Sequence, residues 1–315
     1  MFELSLTILP IFGLLLFGAL LQYKQFPADQ FWSGVDKLVY WVLFPAMLFY
    51  NISQVDLSSP VLPNYAIVIA FALALVSLLV LITCVFSRTN RPTGTSVLQA
   101  CIRFNSFIAL AIANAVYGEE GLILATLGAA ILIPSVNVIL VISMVTLHGK
   151  KSSSLSNLLL KELVKNPLIL AILAGVLVNL AEIEKVFLLT DMTGILSRAT
   201  LPLVLLAVGA SLRISAFKSS GLLLVLSTLI RLICFPLAIG VACIFLELGA
   251  LESCVAILFG AVPTATSGYV LAKQLGGNAS ILSVFISVQT GLTVITLPLT
   301  VWFSQTWFGY NAWLH

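Results

Sequence analysis

Apolar runs of about 20 residues, the length that crosses the hydrocarbon core of a bilayer, recur ten times along this chain. They cover residues 4–22, 35–52, 61–86, 98–117, 122–147, 168–180, 192–212, 222–245, 254–275 and 281–303. In hydrocarbon every backbone group must find a partner inside the protein, so only helices or closed barrels can span. Barrel strands alternate apolar and polar positions over about ten residues, whereas these runs are unbroken Leu, Ile, Val and Ala. The expected fold class is an all-α integral membrane protein with ten transmembrane helices. Charge agrees: 9% of the 315 residues are charged, against roughly a quarter in soluble domains. The net charge of +3 is too small to imply nucleic acid or another polyanion as partner. Cys84, Cys101, Cys234, Cys243 and Cys254 lie in or beside apolar runs without metal-like or CxxC spacing, and read as small buried hydrophobes. The first run follows Glu3, not a basic segment, so it reads as a transmembrane helix and not a removable signal.

Basic residues orient the spans. Lys24, Lys37, Arg88, Arg91, Lys150, Lys151, Lys161, Lys165, Arg213, Lys218 and Lys273 fall on one side, and only Lys185 on the other. The positive-inside rule then places both termini outside the cytoplasm, in a cell (inner) membrane. A shift of 158 residues carries the first five runs onto the last five, and sets Gly118, which closes run four, on Gly276, which closes run nine. Five is odd, so the halves are expected to be inverted repeats, the arrangement of many secondary transporters. The expected organisation is one membrane domain. Residues 1–150 form the first repeat, 161–305 the second, and 148–166 a cytoplasmic linker.

In such repeats, broken helices at corresponding positions mark the substrate site. Run nine carries Val262-Pro263-Thr264-Ala265-Thr266-Ser267-Gly268, in which proline removes a backbone donor and hydroxyls can meet freed carbonyls or a solute. The same shift sets Pro263 on Asn105, within Arg103-Phe104-Asn105-Ser106 of run four.

These residues resemble the auxin efflux carrier family, whose bacterial members are usually called malate or malonate transporters. The likeness spans essentially the whole chain. It rests on Phe44-Pro45-Ala46, Arg103-Phe104-Asn105, Tyr117-Gly118-Glu119-Glu120-Gly121, Lys165-Asn166-Pro167-Leu168, Leu201-Pro202, Gly209-Ala210-Ser211-Leu212, Pro263-Thr264-Ala265-Thr266 and Tyr269-Val270-Leu271-Ala272. The resemblance implies helices four and nine unwound where they cross, a transport domain moving against a scaffold, and organic anions as substrates. The family pattern has a proline shortly after the run-four asparagine. Here Ala109-Leu110-Ala111 stands in its place, so a milder break is expected in run four.

Ionisable groups at membrane depth are functional candidates because burying them is costly. Arg103 and Arg198 lie near enough to helix ends to snorkel. Arg231 lies mid-run, and two readings stand: a planar fork for a carboxylate, or a structural arginine tied to carbonyls of a broken helix. No acidic residue lies as deep, which argues against a proton relay and against aspartyl chemistry. The deep polar groups are neutral, among them Asn105, Ser106, Asn137, Asn179, Thr264, Thr266, Ser267 and Gln289. Positive character without buried acids fits an anion. The expected function is a secondary transporter of small organic anions such as carboxylates, by alternating access. Its substrate site is expected at Asn105, Ser106, Pro263, Thr264, Thr266, Ser267, Arg231 and Arg103. No catalytic constellation, metal site or cofactor is implied, and sodium and protons are the candidate coupling ions. The alternatives are an anion channel and a structural or sensory membrane protein. The bilayer and the anion are the expected partners, and a homodimer is compatible with the chain.

Overall fold

The computed structural model describes residues 2–55, 57, 61–148, 164–183, 185–212 and 221–310, and every regular element among them is helical. In chain order these are α1 (Phe2–Tyr23), α2 (Asp29–Leu38), α3 (Phe44–Ser53), α4 (Val61–Phe86), α5 (Arg91–Ile102), α6 (Ser106–His148) and α7 (Pro167–Leu180). There follow α8 (Leu189–Ala210), α9 (Gly221–Leu229), α10 (Phe235–Phe245), α11 (Ala250–Ala261), α12 (Ser267–Leu275) and α13 (Ala279–Phe308). Most of the expected linker lies outside the described residues, as do Asp56, Lys150, Lys151, Lys161, Glu184, Arg213 and Lys218.

Among the described residues, seven helical stretches are long and apolar enough to cross a membrane, and Pro167–Leu180 and Ala250–Ala261 are shorter apolar helices. The protein is therefore a multi-pass helical membrane protein. One stretch, Arg91–Ser143, runs for 53 residues. Drawn straight it would reach about 80 Å, more than twice the thickness of a hydrocarbon core. It is interrupted twice. Residues 103–105 are not helical, and Gly118 turns the chain inside α6 with φ +65° and ψ −153°, a conformation that an L side chain would oppose. Gly276, matched to Gly118 by the shift of 158, also has positive φ (+88°) and closes α12.

Helix starts precede the apolar runs wherever a polar first turn is involved. Asn90 caps α5, its side chain accepting from Thr93 N, with Pro92 in the first turn. Asn166 caps α7 through Leu168 N, with Pro167 following. Hydropathy misses such turns because the residues that satisfy free N–H groups are polar.

Two Phe-Pro pairs reshape helices. Val39–Leu43 forms a π-helical turn before Phe44-Pro45, and Ile230–Cys234 one before Phe235-Pro236. A proline has no N–H and its ring crowds the carbonyl four residues earlier. The helix widens here, and Phe44 N reaches Val39 O while Phe235 N reaches Ile230 O. One extra residue in a turn rotates the following face by roughly 100°. Arg231 lies inside the second widened turn.

Lipid is as apolar as leucine, so membrane helices associate through close packing and hydrogen bonds, not through burial from water. In one group α8 packs on α1 and on α3, and α3 packs on α7. Asn179 ties α7 to the end of α3 by donating to the carbonyls of Ile52, Ser53 and Val55. At the crossing of α1 and α8, Gly18 rests on the Leu206 carbonyl and Gly209 on the Leu15 carbonyl, leaving no space for a Cβ at either position. A second group comprises α4, α5, α6, α10, α11 and α13, and α6 touches both groups. Each group takes helices from both halves of the sequence. The second holds the two interrupted helices.

Candidate functional site

The site is built from two breaks that meet. α5 ends at Ile102 and Arg103 turns extended (φ −77°, ψ 128°). α11 ends at Ala261 and Val262 turns extended (φ −71°, ψ 152°). The second break follows from Pro263, which disfavours helical geometry at the residue before it. The first has no proline, yet it is a full break and not the milder one expected. Asn105 accounts for it. Its backbone N–H donates to Pro263 O across the crossing (2.8 Å), and its side-chain Oδ1 accepts from Ile108 N (3.2 Å), capping α6. The residues matched by the 158-residue shift are thus hydrogen-bonded to each other. Asn105→Ala is expected to cost about 1 kcal/mol, the value of a lost N-cap, with Asn105→Ser losing less. Thermal melting of the purified proteins checks this.

Each break leaves a carbonyl end and an N–H end. The carbonyl ends face Arg231. Its guanidinium donates to Cys101 O (3.2 Å) at the end of α5, to Phe259 O (2.6 Å) in α11, and to Val262 O (2.8 Å) beyond it. The side chain is 0% exposed, and Cζ lies 5.0 Å from the centre of the Phe235 ring. A helix C-terminus carries roughly half a negative charge, so two of them match about one guanidinium. That balance explains a deeply buried cation with no carboxylate beside it among the described residues. Of the two readings of Arg231, the carbonyl-tied one describes its contacts here.

Gln289 of α13 braces the same crossing. Its Oε1 accepts from Thr264 N (3.1 Å) and its Nε2 donates to Ala100 O (3.2 Å). Thr264 Oγ1 donates to Gln99 O (3.1 Å). Phe104 meets Phe259 edge-on at 5.4 Å, and Phe107 at the start of α6 meets Phe44 beside Pro45 at 4.7 Å.

The eight candidate residues therefore divide. Asn105, Pro263, Thr264 and Arg231 are buried in the framework of the crossing. Arg103, Ser106 and Thr266 are half-buried and Ser267 is exposed, so these four form its accessible side. Arg103 Nε donates to Ser267 Oγ (3.3 Å), joining the two chains there. α12 begins at Ser267 with no side-chain cap on its N-terminus. Arg198, the third deep arginine, is exposed on α8, away from the crossing. Gln99 was not among the expected site residues. It is 0% exposed in the last turn of α5, and the sequence sign of it was a carboxamide one helical turn before Arg103. Among the described residues no cluster of three or more His, Cys, Asp or Glu is placed to hold a metal ion.

A family model described as membrane transport protein matches residues 3–302. The chain is similar to the uncharacterized transporter YfdV of Escherichia coli (strain K12), 27% identical over 319 residues, covering 95% of this chain and 96% of the relative. It is also similar to an uncharacterized transporter of Methanothermobacter thermautotrophicus, 24% identical over 298 residues, covering 93% of this chain and 96% of that one.

Proposed function

We propose that this chain, which belongs to the membrane transport protein family that includes the auxin efflux carriers, is a secondary carrier of small organic anions, carboxylates first among them. The observation that carries the reading is the division of charge at the crossing. Arg231 answers the two carbonyl ends, while the positive dipole ends of α6 and α12 begin at the half-buried Ser106 and the exposed Ser267. Each contributes roughly half a positive charge, and Arg103 stands beside them. A carboxylate fits that surplus, and a cation is repelled by it.

In this reading Ser106, Thr266, Ser267 and Arg103 touch the substrate, while Asn105, Pro263, Thr264 and Arg231 hold the crossing in shape. The chain crosses the bilayer ten times as two inverted five-helix repeats, with both termini outside the cytoplasm of an inner membrane. The hydrogen bond between Asn105 and Pro263 supports a two-fold relation between the halves. The group of α4, α5, α6, α10, α11 and α13 carries the site and moves against the scaffold of α1, α3, α7 and α8, opening it to either side in turn. Sodium and protons are the candidate coupling ions, and the sodium arm of the test below distinguishes them.

Counterflow in proteoliposomes tests this directly. Labelled monocarboxylates, dicarboxylates and aromatic acids are offered to vesicles preloaded with the same unlabelled acid, with and without sodium. Saturable accumulation of at least one acid is the expected result. Anion flux without saturation or counterflow would make the protein a channel, and no flux from folded protein would remove the carrier reading.

A further inference from the structure

Two glutamines flank the crossing, and they differ in one respect. Gln289 uses both ends of its carboxamide, bridging Thr264 N and Ala100 O. The carboxamide of Gln99 is as deeply buried, yet neither its Oε1 nor its Nε2 has a hydrogen-bond partner. A buried carboxamide without partners destabilises the fold relative to an apolar side chain of the same shape. Nothing in the framework requires it, because the Gln99 contact that holds the crossing is made by its backbone carbonyl, which accepts from Thr264 Oγ1.

Its position supplies the reason. Gln99 Oε1 and Arg103 Cδ converge on Gly268 in the first turn of α12, respectively 3.4 Å and 3.3 Å from where a Cβ on that glycine would lie. Arg103 is one turn along from Gln99, and its Nε holds Ser267 Oγ at the same helix start. The N-terminus of α12, which no side chain caps, a guanidinium and an unpartnered carboxamide therefore meet at one place. The sign of the surroundings is positive, which selects an anion and turns the donor end of the carboxamide toward it.

We propose that Gln99 is a substrate-binding residue, its carboxamide N–H donating to a carboxylate oxygen of the solute held at the start of α12 beside Arg103. This rests on the carrier reading above and adds a residue to it. The missing side chain of Gly268 lets the carboxamide and the arginine stem close on the first turn of α12 together.

The test compares wild type with Gln99→Met, which keeps length and shape but removes both polar atoms. Melting temperature and carboxylate counterflow are measured on the same preparations. The expected result is a melting temperature equal to or above that of wild type. The half-saturation concentration should rise roughly tenfold to a hundredfold, the worth of one hydrogen bond to a charged group, with the maximal rate changed much less. Gln99→Glu, which sets a negative charge against the anion, should weaken transport further. Gly268→Ala should raise the half-saturation concentration with Gln99 left in place. An unchanged half-saturation concentration in Gln99→Met overturns the proposal, as does a clear fall in its melting temperature, which would make the carboxamide a packing element. Loss of sodium dependence with unaltered anion affinity also overturns it, by moving the residue to a cation site. If wild type itself shows no saturable carboxylate counterflow, the carrier reading has failed, and that outcome is separate from a failure of Gln99 in an active carrier.

Discussion

Arg231→Ala is expected to dismantle the crossing, abolishing counterflow and lowering stability by about 3–5 kcal/mol, the range for removing one partner from a buried, charged network. The carbonyls of Cys101, Phe259 and Val262 would all lose their donor. They belong to residues buried inside the protein, and each unpaired carbonyl adds its own desolvation cost. The two carbonyl ends would also repel each other without the cation between them. Arg231→Lys restores the charge but not the fork, since one ammonium cannot point at three carbonyls as a planar guanidinium does. It should recover part of the stability and little of the transport. Arg198→Ala is the matched control. That arginine is exposed on α8, and its loss should shift stability by no more than about 0.5 kcal/mol. Thermal melting in detergent, followed by counterflow, reads both effects. An Arg231→Ala protein with wild-type melting would refute the framework role.

The second large effect lies at the other group of helices. Gly18→Ala and Gly209→Ala should each destabilise by about 2 kcal/mol or more, at the upper side of typical overpacking costs, because the atoms in the way are backbone. A methyl on Gly18 would lie 2.8 Å from the Leu206 carbonyl carbon, and one on Gly209 2.7 Å from that of Leu15. Neither contact is relieved by a rotamer change, so α1 and α8 must separate. Once separated they accommodate both methyls, and the double variant should cost less than the sum of the singles. Gly13→Ala on the same helix has nothing within 4 Å of its new Cβ. There the better helix propensity of alanine gives a neutral or slightly stabilising change. Equal melting of the Gly13 and Gly18 variants would refute the close approach.

What the sequence made legible follows from which forces it encodes locally. Apolar runs specify where helices lie, and Pro263 with its hydroxyl neighbours specified one break. The break at Asn105 was visible as a polar interruption, but its depth was not. It depends on Pro263 O accepting the Asn105 amide, a contact 158 residues away in sequence. Helix starts at Arg91 and Ala250 escaped the hydropathy pattern because polar turns precede the runs. The packing groups were illegible for a similar reason. All the runs are comparably apolar, and the choice of neighbour is made by small residues such as Gly18 and Gly209. Gln99 and Gln289 look alike in sequence, since what separates them is the partner each carboxamide meets in space.

The placement of Arg231 also makes the two halves of the chain unequal. Counting back by the 158-residue shift, the position that answers to Arg231 in the first half is Leu73, an apolar residue of α4. One half supplies the cation, and the other half contributes a helix end that relies on it. The two breaks consequently depend on one side chain that only the second half carries. A change at the arginine therefore reaches the breaks of both halves, whereas a change at Leu73 alters only the packing of α4.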